Sequence, residues 1–157
     1  MSNKQQLPWE QDAIIRHIQL VLQSYKHWTG NDLVNMSDSP EEIAQQIFEA
    51  PFALVSHGTE ADPIFNYGNR KALTTWELSW EEFTKMPSRQ SAEEVVQEER
   101  NRLLQETEAK GFCNYSGVRI SSTGKRFQIK NGIIWNLVDD QNQYCGQASI
   151  FSNTVWL

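Results

Sequence analysis

The fold is decided by residues 62–94, DPIFNYGNRKALTTWELSWEEFTKMPSRQSAEE. An apolar run over residues 64–67 predicts a short strand, and Asn69 behind it can cap a short helix through its side-chain oxygen. Ser79 and Glu82 have the spacing of a capping box, in which each side chain accepts a hydrogen bond from the other residue's backbone N–H. The order strand, asparagine, helix and second helix is the frame on which the rest of the chain is arranged.

Two helices are predicted upstream of that stretch. Residues 10–28 carry apolar side chains at helical spacing, which indicates an amphipathic helix. Ser39 in the N-cap position, followed by proline and two acids, starts a second helix over residues 40–50. We divide the chain into an N-terminal amphipathic helix with its linker, residues 1–38, and one domain, residues 39–157. The N-terminal helix, residues 10–28, is expected to cover the outer face of the sheet.

Five strands are predicted, and the last three follow a helix that ends at Gly111. The turn at residues 122–125 places a glycine where a hairpin needs positive φ, and Gly132 predicts a bulge or kink in the strand that follows. Residues 133–138 are apolar at both odd and even positions, which face opposite sides of a strand, so this part of the sheet should be covered on both faces. The helix that ends at Gly111 is predicted over residues 91–110. The five strands are predicted over residues 52–56, 64–67, 115–121, 126–138 and 144–151, and the fourth of them is interrupted between residues 130 and 133.

Composition places the chain among ordinary globular proteins and disfavours several classes of function. Of its 157 residues, 39% are hydrophobic and 22% charged, and the net charge of −6 lacks the attraction that nucleic-acid backbones require. No apolar run approaches the roughly 20 residues needed to span a bilayer, and no secretory signal is recognised, so we expect the cytoplasm. Cys113 and Cys145 form no CxxC pair, and together with three scattered histidines they predict no metal site.

Six segments of the chain match the pattern of a known family: FNYGNRKAL at 65–73, WEEFTKMPSRQSAEE at 80–94, ERNRLL at 99–104, YSGVRISSTGKRF at 115–127, WNLVDD at 135–140 and YCGQA at 144–148. In this order they resemble the PAS fold, and more closely the PAS-like MEKHLA domain family in its stand-alone bacterial and algal form. The resemblance covers about residues 52–151. It implies an α+β fold, with an antiparallel five-stranded sheet, helices on one face and an N-terminal helical extension.

PAS-like domains bind small molecules between the sheet and the helices, or pair with partners through the sheet and an N-terminal helix. The resemblance therefore implies a sensory module that binds a small molecule and signals through protein contacts. A homodimer through the N-terminal helix is a further expectation. No specific cofactor follows, and neither nucleic acid nor a membrane is expected as a partner. The predicted ligand-binding residues are Tyr67, Arg89, Tyr115, Arg119, Trp135 and Gln147.

Arg119 lies in the middle of a predicted strand, where a guanidinium group must face water or find an anion. Its partner, like that of Arg89 in the loop before the long helix, is either an acid of this chain or a carboxylate or phosphate of a ligand. The acids considered are Glu81, Glu82 and Asp62. Both interpretations stay open at the level of sequence.

Flavin photochemistry and haem binding are both disfavoured. Trp135-Asn136-Leu137 is similar to a tripeptide of light-sensing flavin PAS domains, but the loop at residues 86–90 has no cysteine to link a flavin. Residues 86–111 contain no histidine to bind a haem iron. Two alternatives to a sensor stay open. One is a ligand-free interaction or dimerisation module whose aromatic residues fill its interior, and the other, less favoured, is a small enzyme, for which no catalytic set is recognisable.

Overall fold

The computed structural model describes residues 7–157, which form five helices, three short 3₁₀ turns and one antiparallel sheet. The helices are α1 Asp12–Thr29, α2 Pro40–Phe48, α3 Arg70–Trp76, α4 Trp80–Phe83 and α5 Gln97–Lys110. The 3₁₀ turns are Pro8–Glu10, Ser88–Ser91 and Glu94–Val96. The strands are β1 Ala53–His57, β2 Phe65–Gly68, β3 Phe112–Ile120, β4 Arg126–Val138, β5 Tyr144–Phe151 and β6 Asn153–Trp156. Within residues 7–157, no helix has the length and apolar character needed to cross a membrane.

The strand order in the sheet is β2-β1-β5-β4-β3, so the hairpin β1–β2 adds to the free edge of the β3–β4–β5 meander. This arrangement confirms the predicted α+β class and all five predicted strands. The sequence analysis assigned no sixth strand. In the structure β6 pairs with residues 127–130 of β4, on the side that β5 occupies farther along that strand.

α5, which was predicted over residues 91–110, begins six residues later than predicted, because two 3₁₀ turns precede it. Side chains in this segment bind backbone carbonyls that a helix would otherwise use. Ser91 Oγ donates to Ser88 O at 2.6 Å, and Gln97 Nε2 donates to Ala92 O at 2.8 Å. Such local side-chain bonds favour turns over helix. The segment 88–96 is therefore a folded loop that leads into α5.

β4 runs through Gly132 without interruption. The irregularity that was predicted at Gly132 lies partly in β4 and partly in the neighbouring strand β3. Asn131 has a φ of 56°, and the register of β3 against β4 shifts between Tyr115 and Gly117. A Cβ atom at Gly132 would lie 2.6 Å from the Tyr115 ring. Glycine is required there because the aromatic ring packs directly on the backbone.

The sheet is covered on both faces, as the apolar run at residues 133–138 predicted. On the outer face, α1 and α2 pack on a core that includes Ile18, Ile47, Leu54, Tyr67, Trp135 and Leu137. On the inner face, α3 and α4 pack on an aromatic core that includes Phe65, Trp76, Phe83, Phe127 and Phe151. α5 covers the rest of the inner face beside β3 and β4.

α1 is fastened to the sheet by polar contacts as well as by its buried apolar side. Ser24 Oγ donates to Val138 O at 3.2 Å and accepts from Val138 N at 3.0 Å. The indole of Trp28 donates to Asn136 O at 2.9 Å and lies against Gly111, where a Cβ atom would be only 2.3 Å from the ring. The end of α1 is thus in contact with the end of α5.

Asn69 is fully buried and joins four separate pieces of the chain. Its Oδ1 accepts from Leu54 N at 3.0 Å and from Ala72 N at 3.1 Å, so it caps α3 as predicted and also binds β1. Its Nδ2 donates to Ile47 O at 3.0 Å and Phe52 O at 2.8 Å, which ties the end of α2 to the same point. All four hydrogen-bonding positions of the amide are used.

Replacing Asn69 by aspartate should lower the free energy of unfolding by about 3 kcal/mol or more, because a carboxylate cannot donate to the two carbonyls. Chemical denaturation measures the change. Asn114→Ala on the exposed side of β3 is the control and should stay within about 0.5 kcal/mol of the wild type. An equally small change in Asn69→Asp would show that the amide does not hold these elements together.

His17 of α1 is a second polar contact on the outer face. Its Nε2 lies 2.7 Å from Ser56 Oγ, and that hydroxyl donates to Asn66 Oδ1. The imidazole is therefore the donor to Ser56 in its neutral Nε2–H form. Burial lowers the pKa of His17 to about 4. Protonation of this ring is consequently linked to loss of the folded state.

Lowering the pH from 7.5 to 5.0 should reduce the free energy of unfolding of the wild type by about 2 kcal/mol more than that of His17→Gln. The folded-state pKa lies below that of the unfolded chain, so the stabilisation is complete above about pH 6.5 and is lost as the pH falls toward 4. Urea denaturation at both pH values tests this. His27→Gln, at an exposed position of the same helix, should keep the wild-type pH dependence. Equal losses in wild type and His17→Gln would contradict the assignment.

Candidate ligand-binding cavity

An internal cavity of about 60 Å³, which is partly open to the surface, lies between the inner face of the sheet and the layer formed by α3, the Ser88–Ser91 turn and α5. Part of its wall is apolar and comes from the aromatic core, including Phe65, Trp76 and Phe151. The polar part of the wall is formed by seven residues: His57, Ser88, Ser91, Arg100, Tyr115, Arg119 and Ser149. An apolar cavity with a few convergent polar groups is typical of small-molecule sites.

Two arginines reach this cavity from opposite layers. Arg100 belongs to α5 and is only 6% exposed, whereas Arg119 comes from β3. Arg100 donates to Ser88 Oγ and, at 3.5 Å, to Asn101 Oδ1, and Arg119 Nη1 donates to Val118 O at 2.8 Å. Within residues 7–157, neither guanidinium has an acidic oxygen within 4.0 Å. The direct hydrogen bonds of both guanidinium groups thus go to neutral groups, and the charges of Asp62 and Glu99 act on them only from farther away.

The electrostatics of this pair are unfavourable. The pKa of Arg100 is lowered to about 10, mainly by burial and then by the charge of Arg119, while Asp62 raises it and Arg89 lowers it by smaller amounts. Burial also lowers the pKa of Arg119, with Tyr115 and the charge of Glu99 acting in the opposite direction. Two cations in a desolvated space without a counter-ion make the cavity a place that favours negative charge.

Two further polar atoms at the cavity wall have no hydrogen-bond partner in the described part of the chain. They are the indole N–H of Trp76 and Nε2 of His57, and both residues are more than nine-tenths buried. His57 Nδ1 lies 3.0 Å from Gly58 O, and a carbonyl can only accept, so Nδ1 carries the hydrogen and Nε2 is an acceptor.

Burial lowers the pKa of His57, and the nearby charge of Arg100 adds to this effect. The bond to Gly58 and the neighbouring side chain of Gln147 oppose the shift, although Gln147 makes no hydrogen bond to Nε2. The ring is therefore neutral at physiological pH and offers an unused acceptor. Elsewhere in the wall, Tyr115 Oη lies 2.5 Å from Ser149 Oγ, and burial raises the pKa of this phenol.

Of the six predicted ligand-binding residues, the structure places Tyr115 and Arg119 at the cavity. Gln147 lies beside them, but its Nε2 is engaged by Leu104 O at 3.0 Å and Asn136 Oδ1 at 3.2 Å. Arg89 is on the surface, where its Nε lies 3.0 Å from Asp62 Oδ2. Asp62 is one of the acids that the sequence analysis considered, and the pair is about half exposed.

Tyr67 and Trp135 lie on the outer face of the sheet and are separated from the cavity by it. Trp135 Nε1 donates to Val21 O of α1 at 3.2 Å, and Tyr67 pairs with Ser56 across the β1–β2 ladder. A register shift after Ser56 turns the next pair to the inner face, so Phe65 rather than Tyr67 contributes to the inner core.

The sequence analysis did not select Arg100, Trp76, His57 or the serines of the cavity. A signal for Arg100 was present, because residues 100, 103, 104 and 107 have helical spacing and form the face of α5 that turns toward the protein. The other three of these residues are leucines and a threonine, so an arginine at this spacing is directed inward. Because α5 also carries many acidic residues, Arg100 did not stand out from the exposed charges of the helix.

Arg100 also borders the surface on the other side. It is part of the wall of an open cleft of about 780 Å³ that lies between α5, the turn at residues 61–63 and the loop that begins at Arg89. A smaller cleft of about 200 Å³ reaches Arg119 as well as Arg100. The arginine side chains therefore stand between the internal cavity and solvent. Among residues 7–157, no cluster of three or more metal-binding side chains is found.

The family model of the MEKHLA domain matches residues 15–156. The chain belongs to the MEKHLA domain family. The match begins inside α1 and extends through β6, whereas the predicted division of the chain at residues 38 and 39 stays a prediction. No curated protein sequence matches the chain significantly.

Solved structures similar to this MEKHLA domain are PAS and light-oxygen-voltage proteins. A PAS domain from Colwellia psychrerythraea has 15% identity and a TM-score of 0.65, covering 76% of this chain and 98% of its own. The fungal blue-light photoreceptor Vivid, as its light-state dimer, has 14% identity and a TM-score of 0.59, covering 85% and 91%. An RNA-binding light-oxygen-voltage receptor has 11% identity and a TM-score of 0.67, covering 82% of this chain but 36% of that one. These likenesses confirm the PAS-like fold.

Replacing Arg100 by methionine should raise the free energy of unfolding by about 1–3 kcal/mol, because a buried charge without a counter-ion is exchanged for an apolar side chain of similar length. Arg102→Met on the exposed side of α5 is the matched control and should change stability by less than about 0.5 kcal/mol. Urea denaturation of the three proteins measures this. A marked loss of stability in Arg100→Met would mean that the arginine has a structural role.

Proposed function

We propose that this MEKHLA domain is a sensory module that binds a small molecule in the internal cavity and passes the occupancy of that cavity to a partner protein by contact. One observation carries the proposal: two guanidinium groups at the cavity wall have no acidic partner within residues 7–157. Burying an unpaired charge costs several kcal/mol, so a residue of this kind is expected where a ligand supplies the missing anion.

The proposal is consistent with where the fold places α5. This helix forms one wall of the cavity through Arg100, and it is attached to the sheet by amide side chains along its carboxyl-terminal half. Gln147 Nε2 donates to Leu104 O, and Asn136 Nδ2 donates to Glu108 O at 3.1 Å. A ligand that draws Arg100 inward would therefore shift a helix that is held at its far end.

The route from α5 to the outer face is short. Gly111, which ends α5, accepts from Asn136 N at 2.8 Å and lies against Trp28 of α1. A change in α5 can thus reach α1 through one packed glycine. We propose α1 as the element that presents the signal, with a homodimer as one form of the contact. Its apolar side is already buried on its own sheet, so contact must use its exposed side or follow its release.

A ligand-free interaction module is the second candidate, and the outer face favours it. Trp135, Tyr67 and the apolar side of α1 fill that face completely, and the inner cavity is small. On this alternative, the aromatic residues serve the fold alone and the arginines bind only water. The proposal and its alternative both make the protein a binding protein, with no catalytic step assigned.

Native mass spectrometry distinguishes the two candidates. The purified protein is incubated with an extract of small metabolites, desalted, and measured before and after denaturation. The proposal expects a mass excess that disappears on denaturation in wild type and in Arg102→Met, and that falls at least tenfold in occupancy in Arg119→Met. Arg119 is the better test residue because its removal leaves α5 unchanged.

A bare mass in wild type after incubation would favour the ligand-free module. An excess that is the same in wild type and Arg119→Met would place the ligand elsewhere and contradict the cavity assignment. The same spectra count protomers, so they also report whether a dimer forms and whether ligand occupancy changes its fraction.

A further inference from the structure

The size of the cavity limits what it can hold. Pockets that hold drug-sized ligands have volumes of about 300–1,000 Å³, whereas the volume here is about 60 Å³. Flavins and haems are at least of that size, so they would require the inner core to rearrange. The space fits an organic molecule of two or three carbons, or an inorganic oxyanion.

The charge of the wall selects an anion. Each guanidinium group presents a planar fork of N–H donors that matches the two oxygens of a carboxylate. Arg100 and Arg119 come from different layers, so one carboxylate between them would join α5 to β3. It would also provide the counter-ion that the described chain lacks at this point.

An acceptor in the same wall argues against a purely accepting anion. His57 Nε2 is buried and unpartnered, and with the hydrogen on Nδ1 it can only accept. Ionised acetate offers it no donor, whereas phosphate at neutral pH keeps a P–O–H group. A ligand that carries both a carboxylate and a hydroxyl group would bind the arginines with one end and donate to His57 with the other.

We infer that the cavity binds a hydroxycarboxylate of two or three carbons, the class of glycolate and lactate, with its carboxylate on Arg100 and Arg119 and its hydroxyl group donating to His57. The inference rests on the proposed function, whose binding site it specifies. It assigns chemical roles to three residues: Arg100 and Arg119 recognise the charge, and His57 distinguishes a hydroxyl-bearing acid from its unsubstituted analogue. A site built to bond a hydroxyl group discriminates strongly against a ligand that lacks one.

Isothermal titration calorimetry of the full chain tests the inference with five probes: glycolate, L-lactate, acetate, pyruvate and inorganic phosphate. Glycolate or L-lactate should bind at least tenfold more tightly than acetate or pyruvate, which lack the hydroxyl group. Arg119→Met should weaken that binding at least tenfold, Arg119→Lys should weaken it less, and Arg102→Met should leave it unchanged. His57→Leu should abolish the preference for the hydroxyl group while acetate binding stays the same.

The probe comparison in wild type requires no variant, so it decides the question even if His57→Leu fails to fold. Acetate binding as tightly as glycolate would overturn the role of His57, and phosphate binding more tightly than every carboxylate would overturn the ligand class. Binding of none of the five probes would overturn the inference as a whole. In that case, an excess mass lost on denaturation and reduced in Arg119→Met would leave the proposed function standing.

Discussion

The structure depends first on one buried amide. Asn69 lies where β2 ends and α3 begins, and its side chain binds backbone atoms of α2, β1 and α3 as well as Phe52 between them. Each of the four hydrogen bonds of this amide, if lost, would leave a desolvated polar group without a partner. The backbone atoms that bind Asn69 must therefore keep their positions. The hairpin β1–β2, the inner helices and the second N-terminal helix are therefore fixed relative to each other at a single point.

Much of the fold could be predicted because its signals are local. The caps at Ser39, Asn69 and Ser79 act within one helical turn, and the structure shows each of them bound as expected. What could not be predicted depends on pairing between distant residues. The register shift after Ser56 decides which face of the sheet receives Tyr67, and no local pattern at residues 64–67 reveals it. One extra residue in a strand reverses every side chain beyond it.

The same distinction applies to the cavity. Arg119 and Tyr115 could be predicted because a strand alternates its faces, so a charged residue in mid-strand is conspicuous. Arg100 was missed because α5 carries charges around most of its surface, and its inward face is marked only by Leu103, Leu104 and Thr107. The predicted first strand ends at residue 56 and so leaves His57 outside it, whereas the structure buries His57 as the last residue of β1. Burial at the end of a strand is set by what packs over it, here α5.

The placement of the arginines explains why α5 is the element that can respond. Its only large apolar residues are Leu103 and Leu104, so burial of apolar surface holds it weakly compared with α1. Polar contacts attach it as well: Gln147 and Asn136 bind its carboxyl-terminal half, while its amino-terminal end follows two 3₁₀ turns. Arg100 and Arg119 repel each other between helix and sheet. An anion between them would turn that repulsion into attraction, so a ligand of this charge would act directly on the position of α5.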